Sequence, residues 1–123
     1  MRLTESIEDY LEAILLLSRE LGNVRSIDLA NRLNYKKPSI SVAVKNLKEK
    51  GLINIDENKF ISLTDSGLNI ATNVYERHQV LTKCLKMIGV SNETALHDAC
   101  LIEHVISEET FEALKNVLKK HNS

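Results

Sequence analysis

The apolar residues of this 123-residue chain repeat with a helical period almost throughout, and the one interruption of that period constrains the fold most strongly. At residues 52–55 and 60–63 the pattern changes to two short runs rich in Leu, Ile and Phe, which the polar segment 56–59 separates. Two such runs around a polar tip are typical of a β-hairpin. A helical chain with a single hairpin is predicted to be mainly α.

Two short helical segments come directly before the predicted hairpin. Ser26 is predicted to cap the first segment, which ends at Leu33. After the connection at residues 34–37, Pro38 occupies the predicted first position of the second segment, and Gly51 closes it. Two short helices separated by three or four residues are the helix-turn-helix pattern, and the hairpin then forms a wing beside it.

Longer helical patterns lie on both sides of this region, and together the segments predict a winged helix-turn-helix unit over residues 1–66 followed by a helical unit over residues 67–123. The tail from residue 119 is expected to fray. The predicted limits are Thr4 or Ser6 to Gly22 for the first helix, Thr64 to Gly89 after the hairpin, Ser91 or Asn92 to about Ser107, and Ser107 onward, with Phe111, Leu114, Val117 and Leu118 as the last apolar stripe.

The formal net charge of -1, from 16 basic and 17 acidic residues, conceals a segregation of charge. Residues 22–51 contain seven Lys or Arg and two Asp or Glu, whereas residues 1–21 and 89–123 are both net acidic. Basic side chains supply phosphate contacts, so this surplus over the helix-turn-helix indicates DNA binding. A basic face that is merely solvated is the simpler alternative. The predicted DNA-contacting residues are Arg25, Ser26, Lys36, Lys37, Pro38, Ser39, Ser41, Val42, Lys45 and Lys59.

Other classes of protein are disfavoured by what the chain does not contain. Its longest apolar run, residues 13–17, is too short to span a membrane, and the first ten residues carry no apolar signal core. Two cysteines are too few for a disulfide framework. We therefore expect a cytoplasmic protein that is not an enzyme, with no membrane association and no small-molecule substrate.

Four potential metal ligands are spaced three or four residues apart near the end of the chain: His97, Cys100, Glu103 and His104. If one helix carried all of them, they would share a face. Imidazole, thiolate and carboxylate groups on a shared face are typical ligands of a divalent transition metal. The competing interpretation is a polar surface with one buried cysteine.

Further ligands are needed, because three or four donors leave the shell of many metals incomplete. Asp9 and Glu12 are three residues apart on the first predicted helix, and His78 lies on the helix after the hairpin. A lone histidine is more often structural than a ligand. Cys84 lies among apolar residues and is interpreted as a small core residue.

Several motifs resemble the diphtheria toxin repressor family of metal-dependent transcriptional repressors, which includes iron-dependent repressors and manganese transport regulators. The resembling segments are SIEDYLE at residues 6–12, KPSIS at 37–41, VKNL at 44–47, LTDSG at 63–67, and CLIEH at 100–104, with Arg77-His78 before the last. The resemblance implies a DNA-binding domain at residues 1–66 and a metal-binding, dimerisation domain at 67–123. Because the sequence given ends at residue 123, it also implies the form without the SH3-like domain.

The resemblance further implies Mn(II) or Fe(II) as corepressor, a homodimer, and double-stranded palindromic operator DNA as partner. Asp9 and Glu12 resemble the manganese branch and Cys100 the iron branch. Thr82 and His97 depart from the family pattern. The implied metal ligands are Asp9, Glu12, His78, Cys100, Glu103 and His104, with His97 as a possible additional ligand.

These expectations combine into a hypothesis of an allosteric repressor that controls metal-ion homeostasis, in which one metal binds ligands from both domains and thereby favours DNA binding. Two alternatives remain open. One is a small metallohydrolase with Glu103 as the base. The other is a thiol-based redox regulator that uses Cys84 and Cys100.

Overall fold

A computed structural model describes the backbone of residues 3–122 and the side chains of residues 6–121. The described part of the chain is mainly α, as the sequence predicts, with a single two-stranded sheet. In chain order the elements are α1 (Leu3–Leu21), α2 (Ser26–Leu33), α3 (Lys37–Glu49), β1 (Ile53–Ile55), β2 (Ile61–Leu63), α4 (Asp65–Met87), α5 (Asn92–Ile102) and α6 (Glu108–Asn122).

The chain divides into two compact units, residues 1–72 and 73–123, and α4 begins in the first and continues into the second. The predicted domain boundary after residue 66 falls in the first turn of α4 and stays a prediction. None of the helices among the described residues has both the length and the apolar character needed to cross a membrane.

The first unit contains the predicted helix-turn-helix and wing. Its largest fully buried side chains come from α1, α2, α3, β1 and the segment before α2: Leu11, Ile14, Val24, Leu29, Ile40, Leu47 and Ile53. The strands are antiparallel, with Ile53 opposite Leu63 and Ile55 opposite Ile61. The Ile61 N–H also donates to the carbonyl of Val24 (2.7 Å), which fastens the wing to the segment before α2.

The chain enters α4 directly from the wing, and this is possible because Gly67 has no side chain. A Cβ atom at this position would lie 2.0 Å from the carbonyl oxygen of Leu52, so any larger residue would collide with the backbone. Thr64 caps this helix, as predicted: its Oγ1 accepts from the N–H of Gly67 (3.1 Å) and donates to the carbonyl of Gly51 (2.7 Å).

The second unit is entirely helical among its described residues. Val74, Leu81, Cys84, Ala95, Ala99 and Phe111 are buried in it. The Cys84 thiol donates to the carbonyl of Leu114 (3.7 Å), and burial raises the pKa of this thiol. Cys84 is thus a small core residue, as predicted.

Several predicted element limits are wrong by a few residues. The backbone of α1 is helical from Leu3, so Ser6 lies inside the helix, and the side chain of Thr4 lies outside the described residues. Ser26 is the first residue of α2, whose N-cap is Arg25, because the carboxylate of Asp28 accepts from the Arg25 N–H (2.8 Å).

Further limits differ from prediction at both ends of α3 and in the second unit. Pro38 is the second residue of α3, which begins at Lys37 and ends at Glu49. The predicted helix to Ser107 ends at Ile102 instead, and Ser107 caps α6 as predicted by accepting from the Thr110 N–H (3.2 Å). The end of the chain does not fray from residue 119, because α6 continues to Asn122.

Candidate metal centre and nucleic-acid interface

Three of the predicted ligands converge within the second unit. Nδ1 of His78, on α4, lies 2.9 Å from Oε2 of Glu103 and 3.9 Å from Sγ of Cys100, on α5. Two donors bound to one ion, each at about 2.0–2.3 Å from it, are separated by roughly 3–4 Å. The two separations measured from His78 are therefore close to those between donors of a shared ion.

His104 approaches the same carboxylate from another direction. Its Nε2 lies 3.5 Å from Oε1 of Glu103, so one carboxylate oxygen faces His78 and the other faces His104. The Glu103 residue is 1 % exposed, and the His104 residue is also buried. A charged carboxylate is costly to bury unless it is paired or coordinates a metal, and here two imidazoles flank it.

The predicted single helical stripe of ligands is wrong, because α5 ends at Ile102. Only Cys100 and His97 lie on α5, whereas Glu103 and His104 lie in the following segment, which we call the α5–α6 turn (residues 103–107). Both side chains of this turn are buried. The donor set of two imidazoles, one carboxylate and one thiol fits a divalent transition metal.

His97, the possible additional ligand, does not join these contacts. Its side chain is 73 % exposed, and its Nδ1 lies 3.2 Å from a carboxylate oxygen of Asp98, the next residue. Thr82, the other departure from the family pattern, donates its hydroxyl to the carbonyl of His78 (2.8 Å). It therefore supports the backbone of a ligand residue.

The remaining implied ligands, Asp9 and Glu12, lie in the first unit. They are three residues apart on α1, and both are half-buried. The helix that carries them shares a core with α3, because Leu11 and Ile14 are buried together with Ile40 of α3 in this unit.

The structure leaves both cysteines as free thiols. Cys100 is exposed and lies beside His78, whereas Cys84 is buried and its pKa is raised by that burial. Because the thiolate is the reactive form of cysteine, this environment disfavours reactivity at Cys84. It argues against a redox regulator that depends on both thiols.

The basic residues predicted to contact DNA are all exposed. The apolar stripe of α3, formed by Ile40, Val44 and Leu47, points into the core. The side chain of Val42 is 61 % exposed among basic and hydroxyl groups, as an apolar contact to a base methyl group would require. The exposed predicted contacts at the start of α3 are Lys36, Lys37, Pro38, Ser39, Ser41, Val42 and Lys45.

Two further predicted contacts, Arg25 before α2 and Lys59 at the tip of the wing, are also exposed. The guanidinium of Arg25 lies over the ring of Phe60, 4.5 Å from its centroid, in a cation–π contact. At the tip, one carboxylate oxygen of Asp56 accepts from the N–H groups of Asn58 and Phe60, both at 2.9 Å. Lys59 has a φ of 68° there and is exposed.

Comparison with known proteins shows to which family this chain belongs. The model described as the iron dependent repressor N-terminal DNA binding domain matches residues 2–60, and the model described as the iron dependent repressor metal binding and dimerisation domain matches residues 64–123. The chain belongs to the iron-dependent repressor family. Its fold is thus a DNA-binding domain followed by a metal-binding and dimerisation domain, in a family of metal-dependent transcriptional regulators.

Curated relatives of this iron-dependent repressor family member include transcriptional regulators named MntR. The protein from Escherichia coli is 39 % identical over 119 residues, covering 97 % of this chain and 77 % of the relative. The protein from Salmonella typhimurium is 35 % identical over 119 residues, with 97 % and 76 % covered.

Solved structures of other regulators share the fold. The metal-dependent transcriptional regulator MtsR aligns with a TM-score of 0.86 at 24 % identity, over 95 % of this chain and 55 % of that one. A manganese-dependent transcriptional repressor in complex with manganese aligns with a TM-score of 0.81 at 27 % identity, over 92 % and 52 %. The chain therefore spans about half the length of these solved proteins.

Proposed function

We propose that this chain is a transcriptional repressor that binds palindromic operator DNA as a homodimer when Mn(II) or Fe(II) is bound, and that it thereby controls metal-ion homeostasis. The observation that carries the proposal is the contact of both His78 and His104 with the buried carboxylate of Glu103, with Cys100 beside His78. Membership of the iron-dependent repressor family supports the same conclusion.

The proposed ligand set combines this cluster with two acidic residues of the first unit. His78, Cys100, Glu103 and His104 supply nitrogen, sulfur and oxygen donors, and the family resemblance adds Asp9 and Glu12. A bound divalent cation would supply the positive charge that these carboxylates require. Thiolate favours iron or zinc, and additional carboxylates favour manganese, so the set is suited to either Mn(II) or Fe(II).

Within the first unit, the structure suggests how ligand residues influence DNA binding. Asp9 and Glu12 lie on α1, whose Leu11 and Ile14 are buried in the core that also contains Ile40 of α3. A constraint on α1 therefore changes the environment of the helix that carries the DNA contacts. Metal binding and DNA binding must then favour each other reciprocally.

The second unit has apolar surface that suits association with a second copy. Ile88, Leu101, Val105 and Val117 are large apolar side chains that remain between 49 % and 73 % exposed. A soluble monomer rarely leaves such groups clustered in water, and a twofold dimer would bury them. Two recognition helices in a dimer of this kind read half-sites about 34 Å apart.

The experiment that tests this function measures binding to a palindromic duplex, recovered by in vitro selection with the Mn(II)-loaded protein. Binding is compared with Mn(II), with Fe(II) under anaerobic conditions and with chelator present. We expect tight binding only with metal. Equal affinity in all three conditions would show that the protein is not metal-responsive, and turnover of an ester or phosphate substrate without DNA affinity would support a hydrolase instead.

A further inference from the structure

The α5–α6 turn carries two of the proposed ligands but has little regular structure of its own. Backbone hydrogen bonds join Glu103 to Ala99, and Val105 and Ile106 both to Ile102. The end of a helix leaves carbonyl groups without partners inside the helix. The carbonyl oxygens of Glu103 and Ile106 therefore need donors from elsewhere in the unit.

Arg77, on α4, provides these donors. Its Nη1 donates to the carbonyl oxygens of Glu103 and Ile106, at 3.5 Å each, and its Nη2 donates to Oε2 of Glu108 at the start of α6 (3.0 Å). The guanidinium also lies over the buried ring of Phe111, 5.6 Å from the centroid. A planar guanidinium with several fixed donors can connect three groups in this way, whereas an ammonium cannot reproduce its fork.

Consecutive residues of α4 thus contact Glu103 at two places. His78 approaches the Glu103 carboxylate, and Arg77 binds the Glu103 main chain. We propose that Arg77 is a positioning residue for the metal centre: it fixes the backbone of the α5–α6 turn so that the Glu103 carboxylate faces His78. This proposal depends on the metal-binding function proposed above.

Electrostatics and positioning make opposite predictions for Arg77. A guanidinium near a metal centre repels a divalent cation, so removing its charge alone would tighten metal binding. If Arg77 acts by fixing the turn, removing it must weaken binding instead, by roughly the 10- to 100-fold that is typical of residues that orient metal ligands. The sign of the change therefore separates the two roles.

Lys115 offers a closely matched control. Its ammonium lies 5.3 Å from the centroid of the same Phe111 ring, and its side chain is 25 % exposed, against 22 % for Arg77. Its ion pairs are with Glu76 and Glu112. Lys115→Gln thus removes one positive charge from the same unit, at a group whose described contacts lie outside the α5–α6 turn.

The experiment measures the affinity for Co(II), used as a spectroscopic probe, in the wild-type protein, Arg77→Gln, Arg77→Lys and Lys115→Gln. Circular dichroism and thermal unfolding of each metal-free protein are measured in parallel. We expect Arg77→Gln to bind Co(II) 10- to 100-fold more weakly, Arg77→Lys to recover only part of that loss, and Lys115→Gln to stay within about twofold of wild type. In a Glu103→Gln background, Arg77→Gln should add little further loss, because its effect acts through Glu103.

Glu108→Gln provides a second route if Arg77→Gln does not fold. The Glu108 side chain is 69 % exposed, so its substitution should be tolerated, and it removes one anchor of Arg77. We expect a smaller loss of Co(II) affinity than for Arg77→Gln. If the wild-type protein binds no Co(II), the metal-binding function itself fails. If wild type binds and the Arg77 and Glu108 variants match Lys115→Gln or bind more tightly, the positioning role is wrong.

Discussion

Nδ1 of His78 lies 2.9 Å from Oε2 of Glu103, and this contact joins the middle of α4 to the residue that follows the last turn of α5. The two residues are 25 positions apart in the chain, and Glu103 is almost completely buried. A buried carboxylate between two histidines suits a cation site better than it suits the apolar core of a small helical unit.

Replacing this carboxylate is expected to weaken metal binding strongly without unfolding the protein. Glu103→Gln preserves the shape and the hydrogen-bonding capacity of the side chain but removes its charge. Residues that only orient a metal ligand typically change the affinity by up to roughly 100-fold, so loss of a ligand should lower the Mn(II) affinity by more than that. Isothermal titration measures the affinity. Glu109→Gln, an exposed carboxylate in the first turn of α6, is the control and should bind as wild type does. Unchanged affinity in Glu103→Gln would remove Glu103 from the ligand set.

The two cysteines should differ in their response to metal. Cys100 is exposed beside His78, and Cys84 is buried against the carbonyl of Leu114. Co(II) bound by a thiolate gives a sulfur-to-metal charge-transfer absorption in the near ultraviolet. We expect Cys100→Ser to lose this absorption and Cys84→Ser to keep it. If Cys100→Ser keeps this absorption band, Cys100 is not the thiolate that binds the metal.

The exposed lysines of α3 are expected to contribute phosphate contacts. Lys37→Ala and Lys45→Ala should each weaken DNA binding for all sequences and reduce the slope of log affinity against log salt by about 0.9. Fluorescence anisotropy over a range of salt concentrations gives both values. Lys83→Ala, an exposed lysine of α4 in the second unit, is the matched control. A slope for Lys37→Ala equal to that of Lys83→Ala contradicts the assignment of α3 as the phosphate-binding helix.

Gly67 should be intolerant of even the smallest side chain. Although alanine is the better helix former by about 1 kcal/mol, its Cβ would lie 2.0 Å from the Leu52 carbonyl oxygen. Gly67→Ala should therefore lower the free energy of unfolding by about 1–3 kcal/mol, the range for overpacking. Urea denaturation measures it, with Ser66→Ala, at the exposed neighbouring position, expected within about 0.5 kcal/mol of wild type. Equal stability of the two variants would mean that the wing and α4 separate readily.

Much of the fold can be predicted from the sequence because clear signals mark where its helices and strands begin and end. The hairpin lies where the apolar period changes, and Gly22, Gly51 and Gly89 have the positive φ values expected where helices end. The family motif also points to Cys100, Glu103 and His104, and the structure places Cys100 and Glu103 beside His78 and places His104 beside Glu103.

The arrangement of the site is less predictable, because it depends on where α5 ends. No glycine or proline marks that end, so the helical spacing of residues 97–104 predicts a stripe that the structure replaces with a turn. The same spacing makes His97 a possible additional ligand, although its Nδ1 lies 3.2 Å from a carboxylate oxygen of Asp98. The role of Arg77 is equally hidden, because its partners are main-chain carbonyls, which leave no side-chain pattern in a sequence.

The exposure of Cys100 has a consequence for how sensors of this kind diversify. Glu103 and His104 are buried, whereas Cys100 is exposed on α5. Exchange of sulfur for oxygen at that one position alters the softness of the donor set while the DNA-contacting unit is untouched. In the proposed site, a single substitution at this position would therefore change the preferred metal without changing any proposed DNA contact.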